Sequence, residues 1–303
     1  MQIQSNQQNL QSRSSLHVAV TGGVGLLGHQ IIQDLLDHGH HPVCVDVRRP
    51  EKHAWNKHCP DRVADLTDLG QTFGALRDVD AVIHCAAIPW AGTYPPEVVF
   101  RTNMLSHFNV LQACAGLGIR KVVTASSIQV INRVRTEQMV SPLYFPVDEE
   151  HPCVPDTEYG MSKEAGEAIN RMFHRRYGIR TASIRLPGVL RADRIQERLN
   201  VAEEARARGL WSYIDPRDAA QCFRLAVESD AFECEIFNAS ADEVLSLIPS
   251  QELLNRYYPQ VEVRQPLGEF SALFSNDKAR QVLGFTPQYP WRRTIEMSGA
   301  QQG

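Results

Sequence analysis

The chain has 303 residues, 43% of them hydrophobic and 22% charged, with 31 basic against 35 acidic side chains and a formal charge of −4. This balance excludes a low-complexity or collagen-like chain, and it lacks the basic excess of a nucleic-acid binder. No apolar run nears the roughly 20 residues that span a bilayer, so the expected partner is a small molecule, not nucleic acid or membrane.

In chain order, residues 1–15 are rich in Gln, Ser and Asn, with no apolar h-region, and read as a disordered leader and not a secretory signal. Strands are predicted at 16–21 (LHVAVT), 41–47, 81–85, 121–125 and 180–186. Helices are predicted at 26–37, where Leu27, Ile31 and Leu35 share a face, and at 98–117 and 158–177. Strands alternating with helices predict an α/β fold: a Rossmann-type, doubly wound parallel sheet over 16–186. Beyond Pro187 the pattern is less regular. Helices at 197–208, 216–228, 249–257 and 276–283 and a short strand at 235–238 suggest a small C-terminal α/β substrate lobe over 187–303, able to interleave with the core. Ligands in such sheets bind beyond the carboxyl ends of the strands. The seven cysteines are scattered and contain no C-x-x-C, which argues against a zinc ribbon or disulfide scaffold and for a reducing, cytoplasmic setting. His38-Gly39-His40-His41 falls between a helix end and a strand, where a C-cap is expected and a metal is not.

The first strand runs into Thr21-Gly22-Gly23-Val24-Gly25-Leu26-Leu27-Gly28. A glycine turn at a strand–helix junction lets the backbone approach a pyrophosphate, which the helix N-terminus attracts; Gly22, Gly25, Leu26, Leu27 and Gly28 are the expected contacts. Asp46 ends the second strand, where a carboxylate binds the ribose hydroxyls of NAD and repels the extra phosphate of NADP. Arg48 and Arg49 close by leave NADP open. Asp65-Leu66 is either an acceptor for the adenine amino group or a cap before Thr67. Tyr159 and Lys163 stand four apart on a predicted helix and share its face. An ammonium near a phenol is expected to lower its pKa from about 10 and suit it to proton transfer. Upstream, the strand at 121–125 ends in Ser126-Ser127.

Together these segments resemble the extended short-chain dehydrogenase/reductase superfamily, in its NAD-dependent epimerase/dehydratase branch, over roughly residues 16–290. The resemblance rests on the glycine turn, Asp46, Asp65, His84-Cys85-Ala86-Ala87, Asn103, Ser126-Ser127, the Tyr159–Lys163 pair and Pro187-Gly188. It rests also on 147–152 (VDEEHP) and on 278–287 (KARQVLGFTP). It implies that Ser127 holds the reacting oxygen, that Tyr159 exchanges the proton, and that Lys163 binds the nicotinamide ribose and tunes Tyr159. It further implies Ser126, Ala86 and Ala87 beside the cofactor, Pro187-Gly188 shaping the nicotinamide pocket, and Asn103 either near the site or in packing. A homodimer through the helices at 98–117 and 158–177 is also implied.

Two departures bear on substrate. Where this branch usually continues its serine pair to Val-Tyr-Gly, Ile131-Asn132 stand here. The interval from Pro187 to Tyr213 is short, and the glycine-rich stretch that normally precedes the Arg-Asp motif is missing from Gly209-Leu210-Trp211-Ser212-Tyr213. The short form is more similar to uronate and related sugar-acid dehydrogenases than to nucleotide-sugar epimerases. Arg185, Arg191, Arg194 and Arg217 are candidates for a substrate carboxylate or phosphate, Arg191 and Arg217 foremost, with solvated charge as the alternative for each. Trp90 and Tyr94-Pro95-Pro96 border the pocket or pack. The reading is an NAD(P)-dependent oxidoreductase acting on a sugar, sugar acid or small polyol. The alternatives are a UDP-hexose type 4-epimerase and a non-catalytic nucleotide sensor.

Overall fold

A computed structural model describes residues 15–52, 54–55, 57–89, 94–131 and 140–293. The predicted leader up to residue 14, Trp90 and Asn132 lie outside the described residues.

The elements, in order, are β1 His17–Thr21, α1 Leu26–Asp37, β2 His41–Asp46, β3 Asp61–Val63, α2 Leu69–Ala75, β4 Ala81–His84 and α3 Pro96–Leu117. There follow β5 Lys121–Ser127, β6 Tyr144–Phe145, α4 Glu158–Tyr177, β7 Arg180–Leu186, β8 Gly188–Val189, α5 Ile195–Leu199 and α6 Glu203–Ala207. The chain ends with β9 Tyr213–Ile214, α7 Pro216–Glu228, β10 Cys234–Asn238, α8 Ser250–Tyr257, β11 Glu262–Val263 and α9 Asp277–Leu283. Seven strands form one sheet in the order β10-β7-β5-β4-β1-β2-β3, every pair parallel. The order reverses between β1 and β4, so a crevice opens beyond their carboxyl ends.

The alternation of side chains along each strand builds two cores. Val18 and Val20 of β1 face one side with Ile31, Leu35, Ala219 and Phe223 of α1 and α7. Ala19 faces the other with Val110 and Leu111 of α3 and Phe173 of α4. The strands are apolar on both faces because helices cover both. Arg224 of α7 donates to Asp34 of α1 at 2.7 Å, and His40 Nε2 pairs with Glu228 Oε1 at 2.9 Å while its Nδ1 accepts Leu16 N–H. His38 is the C-cap of α1 and Gly39 takes φ +83°, so the histidine run ends the helix as expected. Among the described residues no His/Cys/Asp/Glu group is arranged to hold a metal, and no helix is long and apolar enough to cross a membrane.

The chain beyond 186 does interleave with the sheet. β10 forms its edge and α7 packs on α1. Conversely, the lobe's own core takes Ile128, Val130, Phe145 and Val147 from upstream and joins them to Trp211, Leu253, Leu254 and Phe274. The helix predicted over 197–208 is two short ones: Ala202 is extended (φ −52°, ψ 140°) and restarts the chain as α6. The break lets Arg206 reach the carbonyl of Leu245 and the carboxylate of Glu203, which also accepts Trp211 Nε1–H at 2.6 Å. Leu210 and Trp211 take left-handed backbone, φ +54° and +49°, at the turn where the family's glycines are missing. Their burial, with the Trp211–Glu203 bond, offsets the cost of that conformation.

Candidate active site

At the phosphate end of the crevice, Gly22 adopts φ +71° and its N–H donates to Val45 O at 2.8 Å. A Cβ there would lie 2.8 Å from Ala86 N, and one on Gly28 would lie 2.3 Å from Gly22 O. Both positions therefore require glycine, and Gly22 and Ala86 touch. Gly25 is the N-cap of α1, extended and with no side-chain cap, so the first turn turns its free N–H groups and positive dipole end toward the crevice. Leu26 is exposed and Leu27 half-buried beside it. Asp46 Oδ2 accepts from Val24 N at 3.1 Å and Oδ1 from Arg48 N at 3.1 Å, with Arg48 Nε 3.9 Å away. An uncapped helix end, a turn with no room for side chains and a carboxylate at the end of β2 fit a dinucleotide.

Asp65 accepts from both Thr67 N (2.9 Å) and Thr67 Oγ1 (2.7 Å), a local turn, while Asp68 caps α2 through Gln71 N. Its exposed carboxylate thus already has the Thr67 partner of the capping alternative. Leu66 is buried, its carbonyl accepting from Asn109 Nδ2 at 2.9 Å and its side chain packed in the core.

The catalytic candidates meet where β5 ends against α4. Thr157 Oγ1 accepts Gly160 N–H at 2.9 Å and starts the helix. A Cβ on Gly160 would lie 2.6 Å from Gln129 O, so glycine lets the helix close on the short turn after β5. Ser127 Oγ accepts Gln129 N–H at 3.2 Å and lies close enough to the Tyr159 phenol to favour its charged form. Lys163 Nζ donates to Ala125 O at 2.7 Å and stands 5.5 Å from the centre of the Tyr159 ring. The structure thus brings Ser127, Tyr159 and Lys163 together. The expected electrostatics differ: burial pushes Tyr159 up to about 12, opposed only by the nearby Ser127 hydroxyl. Lys163 is held by a backbone carbonyl, and burial lowers it to about 8.

Beneath Lys163 lie His84, part of the motif at the end of β4, and two groups that pattern reading missed, His107 and Asn170. Burial drives the His84 imidazole well below its ordinary value and His107 to about 4, with the Lys163 charge adding to both shifts. His84 Nδ1 meets Thr21 Oγ1 at 2.8 Å and His107 Nε2 meets Asn170 Oδ1 at 2.9 Å, the two rings edge-on at 5.2 Å. This polar seam ties β1, β4, α3 and α4 under the crevice. No motif announces His107 or Asn170; only their place on otherwise apolar helix faces hints at a buried pair.

Asn103 is buried, with Oδ1 accepting Ile88 N–H at 2.8 Å and Nδ2 donating to Ile88 O and Ser162 Oγ, both at 3.2 Å. It pins the loop after β4 to α4, the packing alternative, and has no amide group left for substrate. Ser126 turns its hydroxyl to Glu167 Oε1 at 2.7 Å, on the opposite face of β5 from Ser127. Arg185 is buried in a two-bond pair with Glu167. Arg191 is exposed and bonds Asp193 at 2.9 Å; Arg194 pairs with Glu197 at 2.7 Å. Arg217 makes two 2.8 Å bonds to Asp215 and stacks 3.5 Å over Tyr289. Pro187 is buried at the end of β7 and Gly188 exposed. Ala87 is half-buried next to Ala86. Tyr94 is exposed, and Pro95-Pro96 begin α3.

The NAD-dependent epimerase/dehydratase family model matches residues 18–239. The chain belongs to the NAD-dependent epimerase/dehydratase family. It is an enzyme of the extended short-chain type, and NAD is its cofactor. L-arabinose 1-dehydrogenase (NAD(P)(+)) of Haloferax volcanii is 26% identical over 260 residues, 80% of this chain and 96% of that one. UDP-glucose 4-epimerase of Azospirillum brasilense is 30% identical over 189 residues, 60% of this chain and 52% of that one. A short-chain dehydrogenase/reductase superfamily protein of Agrobacterium tumefaciens, solved with bound NAD, superposes with a TM-score of 0.71 at 23% identity, covering 94% and 97% of the two chains. The last likeness is one of fold.

Proposed function

We propose that this family member is an NAD-dependent dehydrogenase that oxidises a hydroxyl of a sugar or sugar acid carrying no nucleotide. The observation that carries the chemistry is the Ser127–Tyr159–Lys163 constellation at the end of β5. Bound NAD supplies the hydride acceptor. Ser127 Oγ, fixed by Gln129 N–H, holds the substrate oxygen. Tyr159, once ionised, takes the hydroxyl proton at Oη, and the neighbouring Ser127 hydroxyl favours that phenolate. Gly22, Gly25, Leu26, Leu27 and Gly28 would hold the pyrophosphate, Asp46 the adenosine ribose, and Ala86, Ala87 and Pro187 the middle of the cofactor. Residues 16–186 serve mainly the cofactor and 187–303 the substrate.

Two observations support a small substrate. The interval from Pro187 to Tyr213 closes quickly through the β8–β9 pair, leaving little surface for a diphosphate and base. Likeness to the arabinose dehydrogenase also runs through most of both chains, whereas likeness to the epimerase spans about half of that protein. Exposed Arg191 is the candidate for a substrate carboxylate. The retained serine, tyrosine and lysine argue against a non-catalytic sensor. Seven free cysteines suit a reducing, cytoplasmic setting. Exposed Phe100, Leu105 and Phe108 along one side of α3, with Met161 of α4, suit a homodimer.

A Tyr159→Phe variant tests the assignment: it should bind NAD as the wild type does and lose at least about 100-fold in turnover. Near-full activity in that variant would remove Tyr159 from the chemistry.

A further inference from the structure

Tyr159, Lys163 and Glu167 follow one another at one-turn spacing on α4, and each grips the end of β5. Tyr159 stands beside Ser127, whose hydroxyl favours its charged form, Lys163 Nζ meets Ala125 O at 2.7 Å, and Glu167 Oε1 accepts from Ser126 Oγ at 2.7 Å. Three consecutive strand residues are thus tied to three consecutive helical turns. β7 closes the arrangement: Arg185 stands opposite Ser126 in the strand register. It donates to both oxygens of Glu167, Nε to Oε1 at 2.9 Å and Nη2 to Oε2 at 2.8 Å. Arg185 also reaches Cys153 Sγ at 3.1 Å and Glu149 O at 3.4 Å, on the segment that leads into α4. Ser126, Glu167 and Arg185 are all buried. A buried ion pair adds little net stability over apolar packing of the same volume, so stability alone is a poor account of it, whereas its directional bonds fix geometry.

We propose that Glu167 is a positioning residue: clamped by Arg185 and bonded to Ser126, it sets the register of α4 on β5 and so holds Tyr159 and Lys163 in reach of Ser127. The inference builds on the roles given to Tyr159 and Lys163 above. Removing the clamp lets the helix ease away from the strand, which loosens the Lys163–Ala125 bond and lets water reach the ammonium.

The test is made on the full chain with Ser126→Ala, which deletes one hydroxyl, and with Glu167→Gln/Arg185→Met, which removes both buried charges together and avoids stranding one. The chain has five lysines, so protein labelled with ¹³C at lysine Cε gives few signals, and Lys163→Met assigns the one required. In the wild type Lys163 should titrate near 8. In both clamp variants the midpoint should rise toward that of an ordinary lysine by about half a pH unit or more. Turnover should fall about tenfold while the Kd for NAD stays within about twofold. General destabilisation would not produce that combination. A Lys163 midpoint and turnover both unchanged in variants that melt like the wild type would overturn the proposal. Should the wild type oxidise no carbohydrate while the midpoint still rises in the variants, the positioning role stands and the dehydrogenase reading falls.

Discussion

Ser127 and Tyr159 form a pair in which each sets the other's behaviour. Burial holds the phenol protonated up to about 12, and the serine hydroxyl is what opposes it. Oxidation needs the phenolate, so its rate should rise with pH on one proton, and the reverse reduction should fall. Ser127→Ala removes the hydroxyl that favours the charged form. Its alkaline limb should therefore move to higher pH, with kcat about 100-fold lower, measured as kcat/KM against pH. Asp46 has the corresponding role in cofactor choice. Asp46→Ala removes the carboxylate beside the glycine turn and frees Arg48, so preference should shift toward NADP by about tenfold or more, read from the ratio of kcat/KM for the two cofactors. At this scale the motif residues were legible because chemistry restricts their identity and spacing. The buried polar residues were less so. Arg185, between Ile184 and Leu186 on an apolar strand, had to have a buried partner, yet nothing local in the sequence names Glu167. The alternation of a strand turns the Ser126 hydroxyl away from the face of Ser127, toward Glu167.

Elements of one or two turns follow from contacts distant in sequence, which explains where prediction and structure part. The ends of α1 and α4 agree with prediction because glycines, Thr157 and a regular apolar face mark them. The split of 195–207 into α5 and α6 depends on Glu203 meeting Trp211 and Arg206 meeting Leu245, which no local pattern contains. The glycine turn is the element with the least room for change. Gly28→Ala places a methyl 2.3 Å from Gly22 O, so the turn must shift. NAD affinity should drop by about tenfold or more in calorimetry, with the melting temperature lowered as well. At the other end of the fold, Asp218 of α7 accepts Gln288 N–H at 2.7 Å and Tyr289 N–H at 3.1 Å and holds the C-terminal segment. Burial raises its pKa from 3.8 to about 6. Between those values the folded chain binds a proton that the unfolded chain has lost, so this group's contribution to stability declines as pH rises from about 4 to 6. Asp218→Asn should flatten that slope in denaturant titrations.

For the molecule as a whole, alternation of strands and helices made the parallel sheet legible. That the chain beyond 186 could interleave with the core was expected, but its partners were not legible, because β10 and the residues Ile128, Val130, Phe145 and Val147 meet theirs only after the chain has returned on itself. That interleaving ties the residues beyond 186, proposed to bind the substrate, to the frame that carries Ser127. If α3 and α4 form a homodimer face, light scattering should give twice the chain mass, and Phe108→Glu should halve it without loss of fold. The central claim, net oxidation of a small carbohydrate, is tested most directly by offering NAD with a panel of aldoses, uronic acids and nucleotide sugars. NADH and epimer formation are followed together. NADH should accumulate in proportion to a free sugar or sugar acid consumed. Interconversion of a nucleotide sugar with no net NADH would contradict it.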